Sequence, residues 1–99
     1  MRAFTVAAFN AVIAPEVLVD EYAMITSNAC VLAGARIGKA AFIGVNSVIG
    51  EGVRVGPGAV VVFGSAVFHD VKAGAFIQGN PARYLYSKAV PIELTSVTE

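Results

Sequence analysis

Residues that can move a proton or bind a metal are few in this chain, and one pair stands out by its spacing. His69 is the only histidine, and Glu51 lies eighteen residues before it. An imidazole titrates near neutral pH and can act as a general base, and a neighbouring carboxylate raises its basicity. Two interpretations stay open: His69 is a base oriented by Glu51, or it is a turn residue without a catalytic role.

The composition limits the partners that need to be considered. Of the 99 residues, 57% are hydrophobic and 14% are charged, with seven basic and seven acidic side chains. The balanced charge argues against nucleic acid or an anionic membrane surface as a partner, and no apolar run reaches the length of a membrane span. A chain of this size with so many apolar residues is expected to bury part of its surface against other subunits.

Two features bear on the cellular location. Cys30 is the only cysteine, which rules out an intrachain disulfide and favours the reducing cytoplasm. The apolar start MRAFTVAAFNAVIA has to be weighed against a signal peptide. Asn10 interrupts its apolar run, and its residues obey the repeat described next, which favours a folded segment over a leader.

A period of six residues is the strongest signal in the sequence. Every sixth residue from the first onward is apolar: Met1, Ala7, Ile13, Val19, Ile25, Val31, Ile37, Ile43, Ile49, Val55, Val61 and Val67. The residue four positions further on is always small or β-branched, from Thr5 to Val71. The residue three positions beyond the apolar one is often glycine or asparagine, which tolerate positive φ: Asn10, Asn28, Gly34, Asn46, Gly52, Gly58 and Gly64.

This pattern predicts an all-β fold, a single-stranded left-handed parallel β-helix built from hexapeptide repeats. A turn every six residues, with one aliphatic side chain pointing inward per short strand, describes a triangular prism with eighteen residues per coil. Residues 1–72 then make four coils, and each coil pairs its backbone with the coils above and below. Residues 73–99 are expected to form a closing turn and a short carboxy-terminal tail.

Residues eighteen apart lie above one another, so the outward side chains can be sorted by face. The charged face carries Leu18, Arg36, Arg54 and Lys72. The first uncharged face carries Val6, Met24, Phe42 and Val60, and the second carries Val12, Cys30, Val48 and Ala66. Two adjacent uncharged faces suit packing about a threefold axis, so we expect a homotrimer.

The corner between the two uncharged faces stacks three asparagines and a glycine: Asn10, Asn28, Asn46 and Gly64. Two interpretations are open for this asparagine corner. The asparagines can be turn residues in the left-handed conformation that also hydrogen-bond along the stack. Alternatively, they can line a polar ligand site on the threefold axis.

The period fails after Val71, and glycine and proline mark turns in the segment that follows. Ile77 can still point inward and close the prism, and Tyr84, Leu85 and Tyr86 can fold over its open end. Residues 88–99 alternate loosely around Pro91, which indicates an edge strand or a mobile tail.

The stretch VRVGPGAVVVFGSAVFHDVKAGAFIQGNPARYL resembles the closing coils of hexapeptide-repeat acyltransferases, which end in a D-V-x-x-G…G-N-P-A-R signature. The earlier stretch LAGARIGKAAFIGVNSVIGEGVRVG is most similar to the sialic acid and bacillosamine-type sugar O- and N-acetyltransferases. The resemblance implies a trimer that binds acetyl-CoA or another acyl-CoA in the cleft between neighbouring prisms. It also implies a histidine that acts as general base on the hydroxyl or amine of a small-molecule acceptor.

The sequence departs from that family where the base is concerned. The family's histidine sits in a V-N-H-D stretch about eleven residues before the small-residue turn that precedes L-A-G, and counting back from Thr26 places Pro15 at its position. We also expect the family's preceding nucleotide-binding domain to be absent. His69 lies three coils from Pro15 along the same corner, roughly 14 Å away.

Two function classes follow. The first is an acyltransferase-like protein that still binds acyl-CoA through Gly64, Lys72 and Arg83, with weak or no activity, in which His69 and Glu51 are the only catalytic candidates. The second is a non-catalytic trimeric scaffold or interaction protein. A zinc site of the carbonic anhydrase type in the intersubunit clefts is excluded, because it needs three histidines and one histidine per chain in separate clefts cannot supply them.

Overall fold

The computed structural model describes residues 6–87, and the expectations for residues 1–5 and 88–99 lie outside this range. The described residues form strands and turns without a helix. Eleven strands have two residues each: β1 Val6–Ala7, β2 Val12–Ile13, β3 Leu18–Val19, β4 Met24–Ile25, β5 Cys30–Val31, β6 Arg36–Ile37, β7 Phe42–Ile43, β8 Val48–Ile49, β9 Arg54–Val55, β10 Val60–Val61 and β11 Ala66–Val67. Two longer strands follow, β12 Ala75–Gly79 and β13 Ala82–Ser87.

The strands stack into three sheets, one for each face of a prism, and all pairs are parallel except β12 with β13. The first uncharged face has the order β1-β4-β7-β10-β12-β13, the second has β11-β8-β5-β2, and the charged face has β3-β6-β9. Strands three apart in sequence are hydrogen-bonded neighbours, and Met24 pairs with Phe42 as Cys30 pairs with Val48. This topology confirms the all-β fold, a left-handed parallel β-helix of about four turns.

The interior is the apolar column that the sequence predicts. From Val19 to Val67 each member of the column is at most 3% exposed to solvent. The small residues four positions on are also buried, among them Ala29, Ala35 and Ser47. Close packing of a narrow interior explains why only aliphatic and small side chains occupy these positions.

The turns repeat with the same period and share one left-handed residue each. The asparagines and glycines predicted for positive φ adopt it, with φ near 62° at Asn28 and Asn46 and 75° at Gly34. Glu16, Tyr22 and Ala40 occupy the same slot and have φ of 65°, 63° and 62°. The stacking of each coil on its neighbours therefore imposes the left-handed turn even where the residue disfavours it.

Ala40 offers a test of that strain. Ala40→Gly removes the steric conflict of a Cβ in the left-handed region, so we expect it to raise the free energy of unfolding by about 1 kcal/mol. Ala35→Gly is the matched control, because Ala35 is fully buried and has no positive φ, and it should destabilise the protein. Denaturant unfolding at one protein concentration measures both. Destabilisation by Ala40→Gly would contradict the strain.

The repeat breaks between Val67 and Val71, before the point that the sequence indicates. Val71 pairs with Val55, sixteen residues before it, so this turn is two residues shorter than the others. The Asp70 carboxylate accepts a hydrogen bond from the Arg54 backbone N–H at 2.9 Å, where other coils use a backbone carbonyl. Asp70, and not Lys72, therefore stands above Arg54, and Val71 is an inward residue of the apolar column.

The column ends at Ile77, which points inward as expected and is 7% exposed. β12 and β13 form an antiparallel hairpin that extends the first uncharged face. The Ser65 hydroxyl, itself buried, accepts a hydrogen bond from Gly79 N–H at 3.2 Å and donates one to Val62 O at 2.6 Å. This buried serine connects the closing hairpin to the last regular coil.

The exposed residues of β13 take two different positions. The ring of Tyr86 stacks on Phe76 along the first uncharged face, with centroids 4.4 Å apart. Tyr84 instead lines a cavity at the carboxy-terminal end of the prism, as the sequence predicts for a residue over the open end. Leu85 is about half exposed.

Candidate functional site

The shortened turn places the only histidine at the wall of a cavity. This end cavity has a volume of about 570 Å³ and is lined by Val67, Phe68, His69, Asp70, Val71, Lys72, Ala75, Ile77, Pro81, Ala82, Tyr84 and Ser87. Its floor is the end of the apolar column, and its polar groups come from the short turn and from β13. His69 and Lys72 are both exposed at its rim.

His69 and Glu51 lie at the same corner of the prism, between the second uncharged face and the charged face. Both side chains are exposed, and within residues 6–87 no hydrogen bond or ion pair joins them. Residues eighteen apart stack directly only where the turns have equal length, whereas His69 lies in the shorter one. A base oriented by Glu51 would therefore require a movement of at least one side chain.

Pro15 lies at that same corner, at the other end of the prism. Its carbonyl oxygen accepts a hydrogen bond from Gly34 N–H at 3.3 Å, and Ala33 O accepts one from Gly52 N–H at 3.0 Å in the next coil. A proline side chain has no group that can accept a proton. Three coils separate Pro15 from His69 along this corner.

The three residues predicted to bind the cofactor are placed apart. Gly64 lies in the asparagine corner, with φ of 72° and its N–H donating to Val45 O at 2.8 Å. Lys72 is at the rim of the end cavity, and Arg83 lies on β13 opposite Gln78. Lys72 and Arg83 are exposed, and their side chains make no hydrogen bond or ion pair with another described residue. Neither cation is therefore neutralised within residues 6–87.

Within the described residues the two uncharged faces expose large apolar side chains. Val12 is 55% and Met24 41% exposed, and the corner between these faces adds Phe9 and Phe63 at 80% and 67%. Cys30 is half-buried on the second uncharged face. An apolar surface that extends over two faces and their shared corner is typical of a subunit interface.

The asparagine corner is held by its backbone. Asn28 N–H donates to Phe9 O and Asn46 N–H to Ser27 O, both at 3.1 Å. Along residues 6–87 the side chains of these asparagines form no hydrogen bonds with one another. The turn conformation predicted for them is confirmed, whereas a side-chain ladder along the stack is not formed.

The charged face carries a second, smaller cavity of about 230 Å³ beside Arg36, Arg54 and Asp70. Arg36 and Arg54 are in direct register on β6 and β9. The sequence pattern does not predict the hydrogen-bonding role of Asp70 or the end cavity. The D-V pair of the closing signature marked the position, but only the short turn reveals its function.

The described residues bear on two further features, a metal site and a membrane-spanning helix. No group of three or more histidine, cysteine, aspartate or glutamate residues that could hold a metal ion occurs between residues 6 and 87. The same part of the chain contains no helix long and apolar enough to cross a membrane.

Three solved structures are similar to this chain in fold. A GDP-perosamine N-acetyl transferase from Caulobacter crescentus, solved with CoA and GDP-perosamine, is 20% identical with a TM-score of 0.59 over 86% of this chain and 46% of its own. The UDP-N-acetylglucosamine acyltransferase from Campylobacter jejuni is 18% identical with a TM-score of 0.70 over 84% and 45%. An N-acyltransferase from Bacillus cereus, solved with an amino-sugar nucleotide and coenzyme A, is 18% identical with a TM-score of 0.65 over 88% and 68%.

The chain shares the left-handed β-helix fold of these three acyltransferases. It spans about half the length of the first two of these structures. No protein-family model and no curated protein matches the sequence. With identities of 20% or less, the likeness to the hexapeptide-repeat acyltransferases concerns the fold, and the function has to be argued from the site.

Proposed function

We propose that this chain is an acyltransferase-like protein of the cytoplasm that forms a homotrimer and binds acyl-CoA between neighbouring subunits, with weak or no transferase activity. The observation that carries the proposal is the fold it shares with structures that contain coenzyme A. The proposed acceptor is a small molecule with a hydroxyl or amine group.

The trimer is supported by the distribution of charge over the prism. Arg36 and Arg54 lie on the charged face, whereas the strand residues that point outward from the other two faces carry no charge between β2 and β11. Burial of apolar surface at about 25 cal/mol per Å² would offset the ordering costs of association. Threefold packing about the asparagine corner would bury Phe9 and Phe63, which are the most exposed apolar side chains described.

Two features of the protomer are compatible with an anionic cofactor, namely two exposed cations and an open corner at Gly64. Lys72 and Arg83 are exposed cations without partners in the described chain, and the guanidinium of Arg83 can form two parallel hydrogen bonds with a phosphate. Gly64 has no side chain to obstruct the corner, and a Cβ there would meet nothing within 4 Å. When bound, acyl-CoA would supply an activated thioester. The chain itself would hold the phosphates and keep the cleft between subunits apolar.

Proton transfer from the acceptor is expected to be slow in such a protein, because the usual base is missing. Pro15 stands at the position that the resemblance assigns to the base, and it cannot accept the proton of an acceptor amine or hydroxyl. His69 is the one imidazole of the chain, and it is exposed at the rim of the end cavity. A positioned base contributes typically 10² to 10⁴ in rate, so its loss would leave only the rate enhancement due to positioning.

Acetyl transfer to amino sugars is accordingly expected to be undetectable or very slow in an acetyl-CoA assay. If His69 serves as the base, His69→Ala should abolish the residual turnover and leave coenzyme A affinity nearly unchanged, and Glu51→Gln should lower turnover in part. If His69 is a turn residue, neither change should alter the rate. Rapid turnover that survives His69→Ala would contradict the proposal of a degenerate enzyme.

The second candidate function is a non-catalytic trimeric scaffold. It is favoured by the combination of Pro15 and an exposed His69 that has no carboxylate partner among residues 6–87. Both candidates predict a trimer, so oligomeric state does not separate them. They differ in whether coenzyme A binds, because a scaffold has no need of the cations Lys72 and Arg83.

A further inference from the structure

The carboxamides of the asparagine corner are polar side-chain groups that the fold of one protomer does not use. Asn10, Asn28 and Asn46 are all exposed, in three successive coils. Within residues 6–87 their side chains make no hydrogen bond, and the contacts along this corner run between backbone groups. A carboxamide has two N–H donors and a carbonyl oxygen that accepts. These groups therefore retain their capacity to bind another molecule.

The surroundings of the carboxamides are uncharged. The corner contains no charged side chain in any of its four turns, residues 8–11, 26–29, 44–47 and 62–65. Beside the asparagines, Phe9 and Phe63 are 80% and 67% exposed, and Val45 is 41% exposed. A matching partner has to offer apolar groups and carboxamides at the coil spacing of about 4.8 Å. A second copy of this chain offers both.

Burial of this corner between subunits sets a condition on the asparagines. A carboxamide removed from water without a hydrogen-bond partner destabilises an assembly. About a threefold axis, equivalent side chains from three copies meet in one layer. Each carboxamide can then donate an N–H to the next subunit and accept one from the previous subunit, so a closed ring leaves every carbonyl oxygen with a partner.

We propose that Asn28 and Asn46 form two such rings of intersubunit hydrogen bonds on the threefold axis. Phe9, one coil before Asn28, and Phe63, one coil after Asn46, enclose the two polar layers between apolar ones. A buried asparagine layer of this kind specifies the number of subunits. The inference rests on the homotrimer proposed above, and it assigns the asparagine side chains to subunit association instead of ligand binding.

Hydrogen exchange of the side-chain amides tests the rings in the unaltered protein. The Asn28 and Asn46 amide protons should exchange with water at least about tenfold more slowly than those of Asn80, which is exposed in the closing turn. Their NMR signals can be assigned with Asn28→Gly and Asn46→Gly, since glycine adopts the same left-handed turn at Gly64. Equal exchange at the three asparagines would show a hydrated axis and overturn the proposal.

Asn46→Asp tests the need for an N–H donor at this position. Aspartate has nearly the same shape and tolerates the left-handed turn, but its carboxylate only accepts hydrogen bonds. Three carboxylates in one layer repel one another, so the mass measured by sedimentation equilibrium at pH 7 should fall toward that of one chain. Near about pH 4 the trimer should recover in part, because a protonated carboxyl can donate. The four turns of the corner contain no other titratable side chain.

Ala40→Asp is the matched control, because Ala40 has the same left-handed conformation, with φ of 62°, at the corner between the charged face and the first uncharged face. It should remain a trimer at both pH values, as should the wild type. A wild-type monomer would refute the proposed trimer itself. A wild-type trimer that Asn46→Asp leaves intact at pH 7 would refute the hydrogen-bonded rings and leave the trimer standing.

Discussion

Val48→Glu is expected to convert a trimer into monomers. Val48 lies on β8 in the middle of the second uncharged face, half-buried between Cys30 and Ala66. A carboxylate there would be taken out of water at the proposed interface without a partner, at a cost of several kcal/mol per trimer. The molecular mass measured by sedimentation equilibrium at micromolar concentration should therefore fall from about three times the chain mass to the chain mass.

Leu18→Glu is the matched control for this prediction. Leu18 is an outward aliphatic residue on β3, in register with Arg36 on the charged face, and is 59% exposed. The same added charge should leave the trimer mass unchanged, because this face is solvated in the proposed assembly. A wild-type protein that is a folded monomer, or a trimer broken equally by both substitutions, would refute the assignment of faces.

Ile43→Ala should lower the free energy of unfolding by roughly 2 to 5 kcal/mol. Ile43 is fully buried on β7, between Ile25 and Val61 in the column. Truncation leaves a void that a stack of short strands cannot collapse around, since each strand is hydrogen-bonded to the coils on both sides. Denaturant unfolding at a fixed protein concentration measures the loss.

Lys39→Ala is the comparison for Ile43→Ala. Lys39 forms a surface ion pair with Glu21, with 3.5 Å between its Nζ and Oε1 of the carboxylate. The Lys39 side chain is 17% exposed and that of Glu21 36%, and an ion pair at the surface contributes typically about 0 to 1 kcal/mol, so the variant should lose much less stability than Ile43→Ala. Equal destabilisation by the two substitutions would mean that the six-residue register does not describe the interior.

The fold was predictable because one structural rule repeats in the sequence. Every inward residue from Val19 to Val67 follows the same spacing, so each coil confirms the register of the one before. The same rule also explains Tyr22 and Ala40, whose left-handed turns do not follow from their own preferences. In a stacked solenoid the neighbouring coils determine the turn geometry, and they override the conformational preferences of individual residues.

The end of the helix was less predictable, because the signal there is the loss of two residues. The six-residue period assigns Val71 to the small-residue positions and places Lys72 above Arg54. The structure instead pairs Val71 with Val55. Only side-chain geometry shows that Asp70 supplies the acceptor for Arg54 N–H in the shortened turn. The six-residue pattern alone does not show on which side of the turn the two residues are missing.

The candidate site was predictable in its residue types and less so in its arrangement. The spacing placed His69 and Glu51 at one corner, which the structure reproduces, but their contact depended on a turn of regular length. Gly64, Lys72 and Arg83 came from the resemblance to the acyltransferases, and they lie at separate positions on one protomer. The roles of these residues therefore stay predictions, because a cleft between subunits involves a second copy of the chain.

Coenzyme A binding tests the central claim most directly. Isothermal titration of coenzyme A into the wild-type protein, at a concentration where sedimentation shows the trimer, should give a saturable heat with one molecule bound per chain. The heat should disappear for Val48→Glu, which has no intersubunit cleft. A folded wild-type trimer that gives no saturable heat up to millimolar coenzyme A would contradict the acyltransferase-like function and leave the scaffold.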